Sequence, residues 1–243
     1  MTPSPPSVAP GMKVEIWSDV VCPWCYVGKR RFEQALAGFA HRDEVEVVWR
    51  AFELDSTAPA ERTGGYAENL AAKYGTDVPR AQQMVDTMTA TAAQDGLELR
   101  FDRARPGNTF DAHRLLHLAA ERGVQDAVKE RLLRATFTEG EPIGDAETLV
   151  RLVTEAGLDA DEAREVLATD RFAAEVRGDQ AQARAYGITG VPFFVVDGRY
   201  GVSGAQPAQA LEQVLAQAWA ERAPLQMART AAGPGCDGDA CAV

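Results

Sequence analysis

Two cysteines separated by two residues lie where a strand-like segment changes into a helical one. Residues 13–19, KVEIWSD, alternate apolar and polar side chains, which predicts a strand. From Pro23 onward apolar residues recur at helical spacing, and proline suits the first turn of a helix because its missing N–H is not needed there. A pair spaced like Cys22 and Cys25 is typical of a redox couple, half of a zinc site or a structural disulfide. The spacing alone leaves all three open.

The rest of the chain supplies the order of elements. Residues 44–54, EVEVVWRAFEL, predict a second strand, and the order strand–helix–strand favours a right-handed βαβ unit with parallel strands. Residues 60–187 consist largely of amphipathic segments that end at glycines, which predicts a series of helices. Residues 191–204 predict two strands joined by an Asp-Gly turn, and residues 207–222 predict a final helix.

Composition excludes several classes of function. The chain has 243 residues and a net charge of -11 without a dense basic patch, so we expect no nucleic-acid partner. No apolar run approaches the roughly 20 residues that a membrane helix needs, so we expect no membrane partner. The N-terminal residues lack the basic and apolar regions of a secretory signal, which predicts a cytoplasmic protein. Structural disulfides are rare in the reducing cytosol, and this favours a redox pair.

Four stretches of the sequence occur in the order of these elements: DVVCPWCYVGKRR, RAFELD, NTFDAHRL and YGITGVPFFVVDGRYGVSGAQP. Together they resemble the DsbA family of thiol-disulfide oxidoreductases, and within it the FrnE-type branch, over about residues 13–222. The resemblance implies an α/β thioredoxin-like fold with a large inserted all-helical subdomain. The related 2-hydroxychromene-2-carboxylate isomerases and kappa-class glutathione transferases usually have serine where this chain has Cys22. The cysteine therefore favours disulfide chemistry over simple use of glutathione as a cofactor.

The predicted elements divide the chain into a discontinuous domain, an insertion and two ends. The thioredoxin-like domain is predicted at residues 12–58 and 188–222, and the helical insertion subdomain lies between them at residues 59–187. We expect a disordered lead at residues 1–11, where proline and serine dominate. Residues 223–243 are rich in glycine, proline and alanine and are predicted to form a flexible tail that contains a C-x4-C pair.

Cys22 is predicted at the N-terminus of the first helix, where free backbone N–H groups and the helix dipole stabilise an anion. Such positions lower the pKa of a thiol, and the thiolate is the nucleophile of disulfide exchange. We therefore assign Cys22 as the nucleophile and Cys25, one turn further on, as the residue that resolves the mixed disulfide. Their spacing brings the Cα atoms to about 5 Å, within the range of a disulfide. Pro23 and Trp24 are expected to tune the redox potential.

The resemblance adds Val191-Pro192 to the site. In the family this proline has a cis peptide bond and faces the cysteine pair, and a cis bond is mainly a property of proline. The backbone of the residue before it pairs with an extended substrate, as in strand addition. We therefore expect Val191 and Pro192 beside the dithiol. Phe193 and Phe194 fit core positions of a strand better than substrate contacts.

Three further residues are candidate neighbours of the active site. Asp19, three residues before Cys22, is either a turn residue or a carboxylate that accepts the proton of the second cysteine. His113 belongs to the NTFDAHRL stretch, which lies near the active cleft in relatives. His113 and His117 also have the spacing of half a metal site, but no H-E-x-x-H pattern accompanies them. Asn108 either caps a helix or faces the site.

Cys236 and Cys241 form a second close pair, in the predicted tail. The turn-forming residues DGDA lie between them, so a local disulfide is feasible. Three interpretations remain open: an auxiliary redox pair that exchanges with the first pair, a weak metal site that uses the intervening aspartates, and a tail without a role. We favour the first, because close thiols beside a dithiol enzyme exchange by the same chemistry. The spacing disfavours zinc bound jointly by both pairs.

The sequence therefore predicts a cytoplasmic thiol-disulfide oxidoreductase with a CPWC dithiol, with disulfide isomerase activity and a role under oxidative stress as further candidates. We expect protein or peptide dithiols and disulfides as substrates, no cofactor, no metal at the active site, and glutathione or another thiol system as reductant. Two alternatives remain. One is a glutathione-dependent isomerase or transferase of the 2-hydroxychromene-2-carboxylate isomerase or kappa-class type, in which Cys22 only holds glutathione. The other is a chaperone-like or metal-binding module.

Overall fold

The computed structural model describes residues 11–222. Within them one mixed sheet has four strands: β1 Met12–Ser18, β2 Val45–Ala51, β3 Phe193–Val196 and β4 Tyr200–Ser203. Their order across the sheet is β2-β1-β3-β4. β1 is parallel to β2 and antiparallel to β3, and β3 is antiparallel to β4. The predicted parallel strand–helix–strand unit and the hairpin after it are confirmed.

Nine α-helices accompany the sheet in the same residues. They are α1 Pro23–Gly38, α2 Tyr66–Tyr74, α3 Val78–Gln94, α4 Phe110–Glu121, α5 Gln125–Arg134, α6 Ala146–Glu155, α7 Ala160–Ala168, α8 Ala173–Ala185 and α9 Ala208–Ala220. A π-helical turn, Ala135–Glu139, continues α5, and a 3-10 turn, Arg42–Glu44, precedes β2. Helices α2 to α8 follow one another between β2 and β3, where the helical insertion is predicted. No helix in the described range is long and apolar enough to cross a membrane.

The central strand β1 contributes to two cores, because successive side chains point to opposite faces of a sheet. Val14 and Ile16 are fully buried against α1 and α9, in a core that includes Phe32. Trp17 points the other way and packs with Ala183 of α8. One face of the sheet is thus covered by α1 and α9, and the other by a helix of the insertion.

A buried carboxylate joins α8 to β2. Asp179 accepts a hydrogen bond from the Ala51 N–H at 2.9 Å and another from Arg50 Nη1 at 3.1 Å. His117 Nε2 of α4 lies 3.0 Å from Oδ2 of the same carboxylate. Arg50 Nε also donates to Glu15 of β1 at 2.9 Å. Polar contacts as well as apolar packing therefore hold the insertion against the sheet.

The insertion has an apolar core of its own. Helices α4 to α7 contribute Leu115, Leu132, Leu149 and Val166, all almost fully buried. Val20, which lies between β1 and α1, is fully buried in the same core. The insertion consequently holds the short segment that leads into the first helix.

Gly28 allows α1 to approach the segment before β3. A β-carbon at this position would lie 2.7 Å from Cγ of Pro192 and 3.5 Å from Cζ of Phe194. We expect Gly28→Ala to lower the free energy of unfolding by about 1–3 kcal/mol, the usual effect of overpacking. Urea denaturation measures this change.

Gly178→Ala is the matched control. Gly178 also lies within a helix, α8, and a β-carbon there would meet nothing within 4 Å. This substitution should be neutral or should stabilise the protein by up to about 1 kcal/mol through helix propensity. Equal unfolding free energies for the two variants would show that the close approach of α1 to Pro192 does not constrain the fold.

Candidate active site

Cys22 lies at the N-terminus of α1, as the sequence predicts. Its backbone is extended, with φ -101° and ψ 110°, and Pro23 follows as the first helical residue. The Cys25 N–H donates to the Cys22 carbonyl at 3.0 Å, which closes the first turn. Within residues 11–222, no side chain forms a capping hydrogen bond at this helix end. The positive end of α1 is therefore left to the Cys22 sulfur.

The two thiols are both buried but differ in access. Cys22 keeps 4% of its surface and borders a large cavity, whereas Cys25 is 0% exposed and does not border that cavity. The Cys22 thiol donates a hydrogen bond to the Val191 carbonyl at 3.5 Å. A substrate therefore reaches Cys22 first, with Cys25 enclosed behind it.

The predicted Val191-Pro192 element lies beside the pair. The peptide bond between the two residues is cis. Val191 borders the same cavity as Cys22, and so do Pro23 and Trp24. Trp24 is 41% exposed, so its ring is available at the mouth of the cavity. Val191, Pro23 and Trp24 thus lie around Cys22, and Pro192 is joined to Val191 by the cis peptide bond.

The two thiols titrate as a pair. A hydrogen bond between the side chains raises the pKa of Cys22, and burial raises it further. Burial also opposes ionisation of Cys25, but the hydrogen bond from Cys22 and the positive charge of Lys129 lower the pKa of Cys25 below its ordinary value. Each sulfur stabilises an anion on the other only while it keeps its own proton, so the first ionisation is favoured and the second is not. The position at the end of α1 favours this first ionisation at Cys22, the accessible sulfur, and the positive charge of Lys129 favours it at Cys25.

Asp19 is a buried carboxylate in the turn before Cys22. Oδ2 of Asp19 accepts the Leu54 N–H at 2.7 Å, and Oδ1 lies 3.3 Å from His113 Nε2. Burial alone would raise the pKa of Asp19, but the hydrogen bond and charge of His113, the Leu54 N–H and the charge of Lys129 together lower it. Both carboxylate oxygens are engaged and the group is ionised. Asp19 is therefore a poorer proton acceptor than the sequence hypothesis assumes.

Asn108 fixes the loop that leads into α4. Its Oδ1 accepts the Phe110 N–H at 2.9 Å, and its Nδ2 donates to the Ala58 carbonyl at 3.2 Å. Asn108 borders neither of the cavities beside Cys22. Of the two roles predicted for Asn108, these contacts fit the one at the helix end.

The tail pair Cys236 and Cys241 lies outside the described residues. Its three interpretations, an auxiliary redox pair, a weak metal site and a tail without a role, therefore stay predictions.

Lys129 is a site residue that the sequence analysis missed. It is fully buried in α5, its Nζ donates to the Ser18 carbonyl at 3.4 Å, and the same atom lies 5.5 Å from the centre of the Trp49 ring. Burial lowers the pKa of Lys129 to about 8, although the negative charges of the dithiol and Asp19 partly oppose this by raising it. A signal was present in the sequence, because Lys129 lies on the face of α5 that buries Leu132 and Leu133.

The larger cavity beside Cys22 has a volume of about 790 Å³ and a mainly apolar wall. Three large apolar side chains in that wall are more than a third exposed to solvent: Trp24, Tyr74 and Met84. Met88 and Phe101 lie in the same wall. An exposed apolar surface of this kind is typical of a binding site.

A smaller cavity of about 380 Å³ adjoins the larger one, and the two share Tyr66 and Lys73 in their walls. Charged side chains are more prominent here, with Asp19, Asp55 and Arg62 among them. An apolar and a charged compartment therefore meet next to the dithiol.

The lowered pKa of Asp19 predicts an acid-sensitive contribution to stability. A carboxylate of this kind stabilises the native state above its unfolded-state pKa of about 4, and the effect is lost as the pH falls through the lower native value. Asp19→Asn should therefore reduce the free energy of unfolding near neutral pH by about 1–3 kcal/mol, because the Leu54 N–H and His113 lose a charged partner. It should also flatten the decline of stability below about pH 4.

Urea denaturation over a pH series measures both effects. Asp43→Asn is the control, because the Asp43 side chain is 93% exposed, and it should change neither the stability nor its pH dependence. Parallel pH curves for the Asp19 variant and the unaltered protein would contradict the assignment of Asp19 as a buried, ionised carboxylate.

Comparison with known proteins identifies the family. A family model described as the DSBA-like thioredoxin domain matches residues 13–216. The uncharacterised protein YwbO of Bacillus subtilis strain 168 is 32% identical over 188 residues, which are 75% of this chain and 86% of that protein. A crystal structure of a probable DsbA oxidoreductase from Streptomyces coelicolor is 50% identical, with a TM-score of 0.84 over 92% of this chain and 100% of the other.

A more distant structure shares the fold. The cytosolic disulfide reductase DsbM from Pseudomonas aeruginosa is 18% identical, with a TM-score of 0.58 over 84% of this chain and 98% of the other. The predicted α/β thioredoxin-like fold with a helical insertion is thereby confirmed, whereas the FrnE-type branch stays a prediction. The chain belongs to the DSBA-like thioredoxin domain family and is an enzyme of the protein disulfide oxidoreductase class.

Proposed function

We propose that the enzyme exchanges disulfides through Cys22 and Cys25. The observation that supports this most directly is the pair of reduced thiols at the N-terminus of α1, one bordering a cavity and the other enclosed behind it. The Cys22 thiolate attacks a substrate disulfide, a mixed disulfide forms, and one substrate sulfur leaves as a thiolate. The Cys25 thiolate then attacks Cys22 Sγ, the Cys22–Cys25 bond forms, and the second substrate sulfur leaves with the electron pair. Two electrons pass to the substrate.

Proteins or peptides are the proposed substrates. The exposed apolar side chains Trp24, Tyr74 and Met84 line the cavity beside Cys22 and suit apolar side chains of an extended segment. Methionine adapts its shape to different partners, which favours a broad substrate range. The Val191 backbone lies 3.5 Å from the Cys22 sulfur, a position from which it would hold a substrate strand during exchange.

A small thiol, with glutathione as the candidate, is the proposed reductant. The smaller cavity includes Lys73 and also Arg62, which is paired with Asp55. Positive side chains beside a reactive thiol suit the carboxylates of a small peptide. Reduction would run as the reverse of the steps above, with the small thiol forming a mixed disulfide at Cys22 and a second thiol releasing it.

A glutathione-dependent isomerase or transferase is the second candidate function, and the charged cavity favours it. In that mechanism Cys22 only holds glutathione, and Cys25 is dispensable. The position of Cys25, enclosed behind Cys22, favours the dithiol mechanism instead, because it supplies the second thiol that resolves a mixed disulfide.

The chaperone-like or metal-binding alternative has less support. Within residues 11–222, no group of three or more histidine, cysteine, aspartate or glutamate side chains is arranged to hold a metal ion. A metal-dependent version would therefore need the cysteines of the tail.

We also propose a cytoplasmic location, in which a dithiol enzyme acts mainly as a reductase or isomerase of non-native disulfides. A role under oxidative stress follows from this, since such disulfides accumulate then. The shared fold with the cytosolic disulfide reductase DsbM is compatible with this location. Reactivation of ribonuclease with scrambled disulfides measures the isomerase activity.

Substitution of each cysteine separates the candidate mechanisms. Cys22→Ser should reduce insulin-disulfide reduction to the uncatalysed rate, because the accessible nucleophile is lost. Cys25→Ser should accumulate mixed disulfides at Cys22, because nothing resolves them, and non-reducing gels with mass spectrometry detect these adducts. Full reductase activity in Cys22→Ser would contradict the proposal. Full turnover without trapped adducts in Cys25→Ser would favour the glutathione-dependent alternative.

A further inference from the structure

Two buried lysines of this chain differ in how their charge is compensated. Lys29, in α1, is 1% exposed, and its ammonium forms ion pairs with Glu33, Asp126 and Glu130. Lys129, in α5, is 0% exposed. Among residues 11–222, no carboxylate oxygen lies within 4.0 Å of its nitrogen. Lys129 is thus a buried cation without a carboxylate partner in direct contact.

The hydrogen bonds of Lys129 do not compensate for this burial. An ammonium has three donors. In the described part of the chain it makes one long bond to the Ser18 carbonyl, at 3.4 Å, and lies 5.5 Å from the centre of the Trp49 ring. Such a cation is costly unless a negative charge lies nearby.

The dithiol and Asp19 are the negative groups that act on Lys129, and only the dithiol gains or loses its charge during the reaction. The Asp19 carboxylate also accepts the Leu54 N–H and lies 3.3 Å from His113 Nε2. Among the negative charges that act on Lys129, that of Cys25 has the largest effect, ahead of Asp19 and Cys22. Cys25 is fully buried as well, so little solvent separates the two charges.

We propose that the Lys129 ammonium is the counter-charge of the Cys25 thiolate and positions this anion for resolution of the mixed disulfide. The inference rests on the proposed dithiol mechanism. In the mixed disulfide the Cys22 sulfur carries no proton, so it can no longer stabilise an anion on Cys25. Lys129 then becomes the main group that keeps Cys25 ionised.

The step balances without another reactant. Cys25 releases its proton to water when it ionises. The Cys25 thiolate attacks Cys22 Sγ, the Cys22–Cys25 bond forms as the bond from Cys22 to the substrate sulfur breaks, and the electron pair leaves on that sulfur. The departing thiolate takes a proton from water. Lys129 keeps its own proton throughout and is a positioning residue, since it acts through Cys25.

Lys129→Met tests the proposal on the reduced protein. The pKa of its dithiol should rise by about one unit, so that the thiolate fraction at a given pH falls about tenfold. The ultraviolet absorbance of the thiolate measures this change. The equilibrium with glutathione should shift about tenfold toward the disulfide, because the reduced form loses its stabilised thiolate; this equals about 30 mV. The matched control is Lys13→Met, at a half-exposed lysine of β1, which should change neither value. A folded Lys129→Met protein with an unaltered ionisation and equilibrium would overturn the proposal.

A second measurement needs no variant and decides the question where Lys129→Met does not fold. Nuclear magnetic resonance of labelled lysine follows the titration of Lys129 in the dithiol and disulfide forms. The pKa of Lys129 should fall on oxidation, because the Cys25 anion disappears. Asp19 and Lys29, the other charged side chains that act on Lys129, are not oxidised, so the difference reports on the dithiol. Equal titrations in the two forms would overturn the proposal.

Failure of the proposed function has a different signature. It would appear as an unaltered protein that forms no Cys22–Cys25 disulfide and reduces no substrate. The ionisation of the reduced thiols in the Lys129→Met variant does not depend on turnover. If the thiols of Lys129→Met ionise at a higher pH but the unaltered protein is inactive, Lys129 is still the counter-charge of Cys25. Only the dithiol mechanism is then contradicted.

Discussion

The contact between the head of α1 and the segment before β3 organises the active site. Cys22 Sγ lies 3.5 Å from the Val191 carbonyl, and Gly28 leaves room for Pro192 one turn beyond Cys25. This contact brings together two segments that are far apart in the chain. It orients Cys22 toward the cavity and leaves Cys25 enclosed, which is the difference in access that a two-step exchange requires.

The helical insertion contributes charged side chains to the active site and also part of the wall of the cavity beside Cys22. Lys129 enters from α5 and His113 from α4, while Asp19 and both cysteines come from the thioredoxin-like part. The result is a buried group of titratable side chains in which the charge of Lys129 acts on both Asp19 and Cys25. Because burial strengthens each interaction, the loss of a single charge changes the balance at the dithiol. Through these charges the insertion influences the redox properties of a pair that it does not itself contain.

Local patterns in the sequence specify part of the fold and of the site. Alternation and helical spacing predicted the strands and most helices, and the position of Cys22 before Pro23 predicted its place at a helix end. The resemblance to a family predicted that Val191 and Pro192 lie beside the dithiol. Lys129 could not be placed in this way, since its contact with Ser18 joins residues 111 positions apart. The hydrogen bond from Asn108 to the Ala58 carbonyl likewise joins residues 50 positions apart, a contact that no periodicity encodes.

The central claim is that Cys22 and Cys25 form a reversible two-electron couple. Equilibration of a Cys236→Ser, Cys241→Ser protein in glutathione redox buffers, followed by acid trapping and peptide mass spectrometry, tests it most directly. The account predicts one transition in which the Cys22–Cys25 disulfide replaces two free thiols, with little glutathione attached. A stable glutathione adduct at Cys22 with Cys25 still reduced, across the whole range of buffers, would contradict it.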